Sequence, residues 1–352
     1  MGSALPISLC MIVKNEEAFL DVALKSVKSV LGFRDIVVVD TGSNDRTKEI
    51  ASENGARVLD FKWCDDFSAA RNFSADNAVN DWVLVLDADE EVMGVETGDL
   101  AEFINDDHVV GTITMVEMFN KSTSPGARLY NRKTHRYEGS IHEQIVPVDQ
   151  RSKIVRDAPI LIVHHGYLPD FGKVQGKLER NERLLILELD KHPDDPYLLY
   201  QLGKSYFCDN RDLPKACEIF EKALTSDLDV RLGYVYNLVE CYGYALLNTG
   251  QYDKALKLME RFAQDYNKVP QFRFLSAHIL QNNGLLIEAV EFYESCIGAD
   301  TVDYSGITSF LSYYNIGVIL ECVGMLEDAI QMYENCGEYK PALSRLDELS
   351  PK

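Results

Sequence analysis

The 352-residue chain is 46% hydrophobic and 26% charged, a composition that excludes disordered, collagen-like and low-complexity scaffolds. Its length exceeds one ordinary domain of roughly 100–200 residues and suits two. With 35 Lys and Arg against 56 Asp and Glu the net charge is −21, which sets nucleic acid and anionic membrane surfaces aside as main partners.

The first half alternates strand and helix signals. Ile7–Val13 is a short apolar run, 16–30 carries apolar residues at helical spacing, and Asp35–Asp40 (DIVVVD) is too apolar for a strand with one wet face. Helix-like 44–54, strand-like 57–61, helix-like 67–79 and the run 82–87 (WVLVLD) complete a βαβαβαβ series. Such units predict an α/β parallel sheet with helices on both faces, and ligands then bind beyond the carboxyl ends of the strands. Runs at 109–118, 127–131 and 159–164, separated by polar loops, predict mixed or antiparallel strands added to the same sheet. Residues 121–183 reverse the local charge, with 12 Lys and Arg against 7 Asp and Glu, so that either an anion docks here or the charges are solvated.

A long helix is predicted over 173–191, and beyond it the sequence is helical and self-similar. Ala216, Ala255, Ala289 and Ala329 are separated by 39, 34 and 40 residues, near the helix–turn–helix period of about 34. Twelve residues before the last three alanines stand Gly243, Ala277 and Gly317, where small residues allow close helix packing, and five before stand Gly250, Gly284 and Gly324, where a sharp turn is needed. With Pro341 closing the last unit, the pattern predicts four tetratricopeptide-like helix pairs. Such an array offers a concave surface for a peptide or protein, or a homodimer interface. Cysteines at 10, 64, 208, 217, 241, 296, 322 and 336 lack the C-x-x-C pairing of zinc or dithiol sites and read as buried and reduced. With no apolar run approaching about 18 residues, they predict a cytoplasmic protein without stable membrane insertion.

The polar residues just past the strands carry the chemistry. Asp87-Ala88-Asp89-Glu90-Glu91 follows the fourth strand, and two carboxylates at i and i+2 can share a divalent cation, hard oxygens favouring Mg²⁺ or Mn²⁺. The same residues also read as a helix start with Glu90 and Glu91 in the first turn. Lys14-Asn15-Glu16, the segment from Asp40 to Asp45 (DTGSND) and that from Trp63 to Asn72 (WCDDFSAARN) stand at the other strand ends. Asp40 can accept the imide N–H of a uracil, and Arg71 offers a planar donor fork to a base edge or diphosphate. Neither a G-x-G-x-x-G fingerprint nor a P-loop occurs.

The series MIVKNE, VVDTGSNDRT, DFSAARN and LDADEE resembles the nucleotide half of family 2 glycosyltransferases of the GT-A fold. IHEQI at 141–145 and HHGY at 164–167, then K-x-x-x-K-x-x-R-N and helical repeats, are similar to a bacterial subgroup associated with peptide, flagellin or envelope glycosylation. The resemblance implies a GT-A domain over 1–172 (a Rossmann-like mixed sheet with helices on both faces), a linking helix over 173–192 and an all-α tetratricopeptide-like domain over 193–352. It implies a metal-dependent, inverting transfer from a UDP-sugar, GlcNAc or glucose favoured, to a peptide or protein side chain. The alternatives are an envelope saccharide or lipid-linked acceptor and a non-catalytic scaffold.

By the same resemblance, Val13, Asn15, Glu16, Asp40, Arg71 and Ala88 would line the nucleotide, and Asp87 would meet ribose or metal. Asp89 would hold Mn²⁺ or Mg²⁺, with His164, or else His165, as a further ligand. Lys173, Lys177 and Arg180 would face the leaving diphosphate. Glu143 would be the base for the acceptor, with His142 behind it, unless Glu143 instead pairs with Arg128 or Arg132.

Overall fold

The computed structural model describes residues 5–118, 123–149, 151–166, 171–299 and 306–349, with backbone only for 171–175 and 209. Tyr167 of HHGY and the Lys173 side chain therefore lie outside the described residues. The chain divides into two compact units, Met1–Leu184 and Leu185–Lys352.

In chain order the first unit contains β1 (Ile7–Val13), α1 (Leu20–Ser26, continued by a π-turn over Val27–Leu31), β2 (Asp35–Asp40), α2 (Thr47–Glu53), β3 (Arg57–Asp60), α3 (Phe67–Asp76), β4 (Trp82–Val85), β5 (Glu90–Val95) and α4 (Thr97–Phe103). Then follow β6 (Val109–Glu117), β7 (Thr123–Asn131), the hairpin β8 (His135–Glu138) and β9 (Gln144–Pro147), β10 (Ile154–His164) and α5 (Phe171–Lys191). The unit boundary falls inside α5, at neither of its ends.

Eight strands form one sheet in the order β3-β2-β1-β4-β7-β6-β10-β5. β1 to β4 are parallel, β7 enters antiparallel beside β4, and β10 runs parallel to β6 and antiparallel to the edge strand β5. Alternation along β1 serves two cores. Leu9, Met11 and Val13 pack on one face with Leu20 and Leu24 of α1 and Ile50 of α2, whereas Cys10 packs on the other with Ala75 of α3, Tyr130 and Tyr137. The predicted Ile7–Val13 and Asp35–Asp40 match β1 and β2 residue for residue, because strands buried on both faces read as unbroken apolar runs.

Three expectations are corrected. The helix placed over 16–30 starts only at Leu20, and Asn15, Glu16 and Glu17 give their backbone N–H groups to the side chains of Ser43, Thr47 and Asp45. Glu90 and Glu91 do not open a helix; they begin β5, and Glu90 is buried. The cysteines are all free, but Cys64, Cys208 and Cys322 are exposed rather than buried. Among the described residues no helix is long and apolar enough to cross a membrane.

The DFSAARN segment holds the β8–β9 hairpin. Asp66 caps α3 by accepting the Ala69 N–H at 2.9 Å. The Phe67 N–H donates to the Ser140 carbonyl at 2.9 Å, and the Ser68 hydroxyl to the Gly139 carbonyl at 2.6 Å. The Asn72 amide donates to the Tyr137 carbonyl and accepts its N–H, both at 2.9 Å.

The second unit pairs α6 (Pro196–Phe207) with α7 (Leu213–Ala223), α8 (Gly233–Asn248) with α9 (Tyr252–Tyr266), α10 (Pro270–Asn282) with α11 (Leu286–Glu294), and α12 (Phe310–Cys322) with α13 (Leu326–Glu334). Helix α14 (Lys340–Leu349) follows. Ala216, Ala255, Ala289 and Ala329 are fully buried in α7, α9, α11 and α13. Gly250, Gly284 and Gly324 take φ of 71°, 77° and 82°, which other residues adopt at a cost. A Cβ on Gly317 would stand 2.7 Å from the Tyr333 ring, so the α12–α13 approach depends on its absence.

Two outcomes follow for stability in urea titrations. Asn72→Ala orphans both backbone groups of Tyr137 and should cost about 1–3 kcal/mol; an unchanged midpoint would remove the clamp. Gly317→Val should cost about 1–3 kcal/mol by overpacking against Tyr333, and a neutral result would show that the two helices can separate freely.

Candidate active site

The loops after β1 and β2 are laced together at the carboxyl end of the sheet. The buried Val13 carbonyl accepts both the N–H and the hydroxyl of Thr41, each at 3.0 Å, and Asn15 Oδ1 accepts the Asn44 N–H at 2.8 Å. Asn15 has φ of 58°, a left-handed backbone that Asn tolerates better than most residues. Asp40 spends Oδ1 on the N–H groups of Gly42 and Ser43, both at 3.0 Å, while its buried Oδ2 has no hydrogen-bond partner among the described residues. An orphaned carboxylate oxygen at a strand tip is costly unless a donor arrives, and an imide N–H fits it.

Arg71, on the sheet-facing side of α3, is 7% exposed. Its Nε donates to Glu143 Oε1 at 2.5 Å, its Nη2 to Asp87 Oδ1 at 3.1 Å, and its Nη1 is buried without a partner among the described residues. Arg128 of β7 donates through Nη2 to Asp87 Oδ2 at 3.1 Å and to Glu90 Oε1 at 2.7 Å. Burial alone would raise Asp87, but Arg128 and Arg71 hold it well below the usual carboxylate range. Glu90 moves the opposite way, raised by its burial and by nearby Asp87 and Asp89 despite Arg128. Removing one member of a buried ion cluster of this type costs about 3–5 kcal/mol, because the partner charge is left unpaired.

Asp89 faces the end of β10. His164 Nε2 lies 3.2 Å from Asp89 Oδ2, and its Nδ1 lies 2.9 Å from Glu117 Oε2 at the end of β6. Asp89, then Glu117, push His164 up to about 9 against partial burial. His165 turns elsewhere: its N–H donates to the Asp89 carbonyl at 3.0 Å, and its Nε2 is 2.8 Å from Glu91 Oε2. Among the described residues no three His, Cys, Asp or Glu side chains converge as a ready ligand set. A carboxylate and an imidazole side by side, with Glu117 orienting the ring from behind, nevertheless fit a cation that takes its remaining ligands from diphosphate and water.

Ala88 is buried in the sheet core. His142 adopts φ of 50° in the hairpin turn, and its carbonyl accepts from Gln144. Lys177 is exposed on α5, and the Arg180 guanidinium lies 5.1 Å over the Phe67 ring. Glu143 pairs with Arg71 rather than with Arg128 or Arg132. Within the basic stretch 121–183, Arg128, Arg132, Arg156 and Arg183 meet Asp87, Asp81, Asp106 and Asp65. Glu90, Arg128 as partner of Asp87, and Glu117 were not anticipated; only Glu117 carries a readable signal, at the tip of the run over 109–118.

Residues 8–157 match the family model described as Glycosyl transferase family 2, and residues 270–303 match that of the Tetratricopeptide repeat. A TPR repeat-containing protein of Synechococcus elongatus is 36% identical over 215 residues, 58% of this chain and 53% of that protein. The SPbeta prophage-derived glycosyltransferase SunS of Bacillus subtilis is 27% identical over 226 residues, 61% of this chain and 52% of that protein. An uncharacterized glycosyltransferase of Rickettsia bellii is 32% identical over 168 residues, 42% of this chain and 56% of that protein. The chain thus spans about half the length of the curated relatives it matches. The Asp87–Asp89 turn, Arg71 and the orphaned Asp40 oxygen all lie within the matched segment, and the first unit carries a glycosyl transferase family 2 domain, followed in the same chain by tetratricopeptide repeats.

Proposed function

We propose that the chain transfers a sugar from a UDP-sugar to a peptide or protein side chain, with inversion and with the help of Mn²⁺ or Mg²⁺. The observation that carries this is the juxtaposition of Asp89 with His164, 75 residues apart in sequence and 3.2 Å apart in space at the carboxyl end of the sheet. In this reading Asp40 Oδ2 receives the uracil imide, and Arg71 Nη1 donates to the nucleotide. Both atoms are buried without partners among the described residues. Asp89 and His164 would hold the cation, Mn²⁺ being the better match to imidazole. When bound, it neutralises charge on the leaving diphosphate. Ala88 and the laced loops of Val13, Asn15 and Glu16 act through the backbone by fixing where Asp40 and Asp89 stand.

Transfer forms a bond from the acceptor oxygen or sulfur to the anomeric carbon and breaks the bond from that carbon to the diphosphate oxygen. The acceptor proton goes to Glu143. Arg71 engages Oε1 of Glu143, so Oε2 is the oxygen assigned to that proton, and the hairpin clamp on α3 holds it in place. The repeats support a peptide or protein acceptor, since stacked helix pairs build extended concave surfaces.

Calorimetry with UDP and Mn²⁺, followed by turnover on candidate peptides, tests the reading. Asp89→Ala should reduce metal-dependent turnover to background, and chelation of the wild type should do the same; activity surviving both would dismiss the metal. Glu143→Gln should leave UDP affinity within a few-fold while lowering kcat by about 10²–10⁴-fold. Full turnover in that variant would place the base elsewhere, and transfer only to a saccharide or lipid-linked acceptor would reject the peptide.

A further inference from the structure

Asp87 and Asp89 stand on a short turn between β4 and β5, and the direction of their carboxylates depends on what grips that turn. Glu90 is 1% exposed and has no part in the reaction described above. Its Oε2 accepts the Asp87 backbone N–H at 2.8 Å, and its Oε1 accepts Arg128 Nη2 at 2.7 Å. The same Nη2 donates to Asp87 Oδ2 at 3.1 Å, and the Glu90 N–H returns to the Asp87 carbonyl at 3.2 Å. Residue 87 is therefore held by its amide, its carbonyl and its side chain from one buried pair. Across the sheet, Glu90 stands opposite His164 in the β5–β10 register.

We propose that Glu90, acting with Arg128, is the positioning residue of the Asp87-Ala88-Asp89 turn: the pair fixes the turn so that Asp89 meets His164. With Arg71 on Oδ1 and Arg128 on Oδ2, both oxygens of Asp87 are committed to guanidinium groups. Asp87 is then an electrostatic anchor, and Asp89 is the acid left to face a cation. A glutamine at 90 cannot substitute, because it offers one acceptor where two donors converge and sets an N–H against an N–H. The consequence for metal binding rests on the donor reading above; the hold on the turn does not.

Glu90→Gln and Glu90→Asp, compared with wild type by hydrogen exchange and by calorimetry with UDP and Mn²⁺, separate the two. The Gln variant should speed exchange of the amides of residues 87–89 by about tenfold or more, with the other strands unchanged. It should also raise the Mn²⁺ concentration for half-maximal UDP binding by about tenfold or more, as loss of a supporting contact does. Glu90→Asp, which keeps two acceptors on a shorter stem, should fall between. Wild-type exchange at the turn overturns the proposal, and so does a lowered melting temperature with unchanged Mn²⁺ half-saturation, the signature of a merely structural residue. If the wild type binds UDP without regard to Mn²⁺, the donor reading fails and the exchange result alone decides the brace. Should Glu90→Gln fail to fold, Arg128→Lys, which keeps the charge and loses the fork, provides both readouts with the same outcomes.

Discussion

A guanidinium can be buried only if anions come with it, and Arg71 brings two from different parts of the chain. Asp87 stands at the tip of the central sheet, and Glu143 is in the turn of the hairpin laid over α3. Their shared arginine joins the strand-tip turn, a helix and the hairpin into one charged cluster, which Arg128 closes from β7. In the proposed mechanism the shared arginine thus holds the acceptor base and the anchor of the strand-tip turn at fixed positions.

Arg71 lies in a segment with two duties. DFSAARN reads as a nucleotide-binding signature, yet Asp66, Ser68 and Asn72 spend their side chains on capping α3 and clasping the hairpin backbone. Those contacts put Glu143 within reach of Arg71. The site is supported on rigid elements, helix to hairpin and sheet to helix, which is what a constellation needing sub-ångström placement requires.

Much of the fold was legible because its signals are local. β1 and β2 are apolar on both faces and bounded by polar turns, and the repeat alanines and turn glycines recur at fixed offsets that packing enforces. The strand-tip rule points to Asp40, Arg71, Asp87 and Asp89 as candidates, but not to the contacts that each makes. Glu90 read as a helix-opening acid because nothing within a few residues reveals that Arg128, 38 positions away, pairs with it. Glu117 and His164 likewise meet only because β6 and β10 are neighbouring parallel strands, a matter of sheet order that periodicity does not encode. The start of the 16–30 run is tied by its N–H groups to Ser43, Asp45 and Thr47, side chains about 30 positions away that its own sequence does not reveal.

The central claim is that Asp89 and His164 receive a cation together with a uridine diphosphate donor. A crystal structure with UDP and Mn²⁺ tests it most directly. The account predicts Mn²⁺ bound by the Asp89 carboxylate and His164 Nε2 at ordinary ligand distances of roughly 2.0–2.3 Å, the diphosphate on its open side and the uracil imide on Asp40 Oδ2. A diphosphate bound away from residues 87–89, or an Asp89–His164 contact left intact with the metal elsewhere, would contradict it.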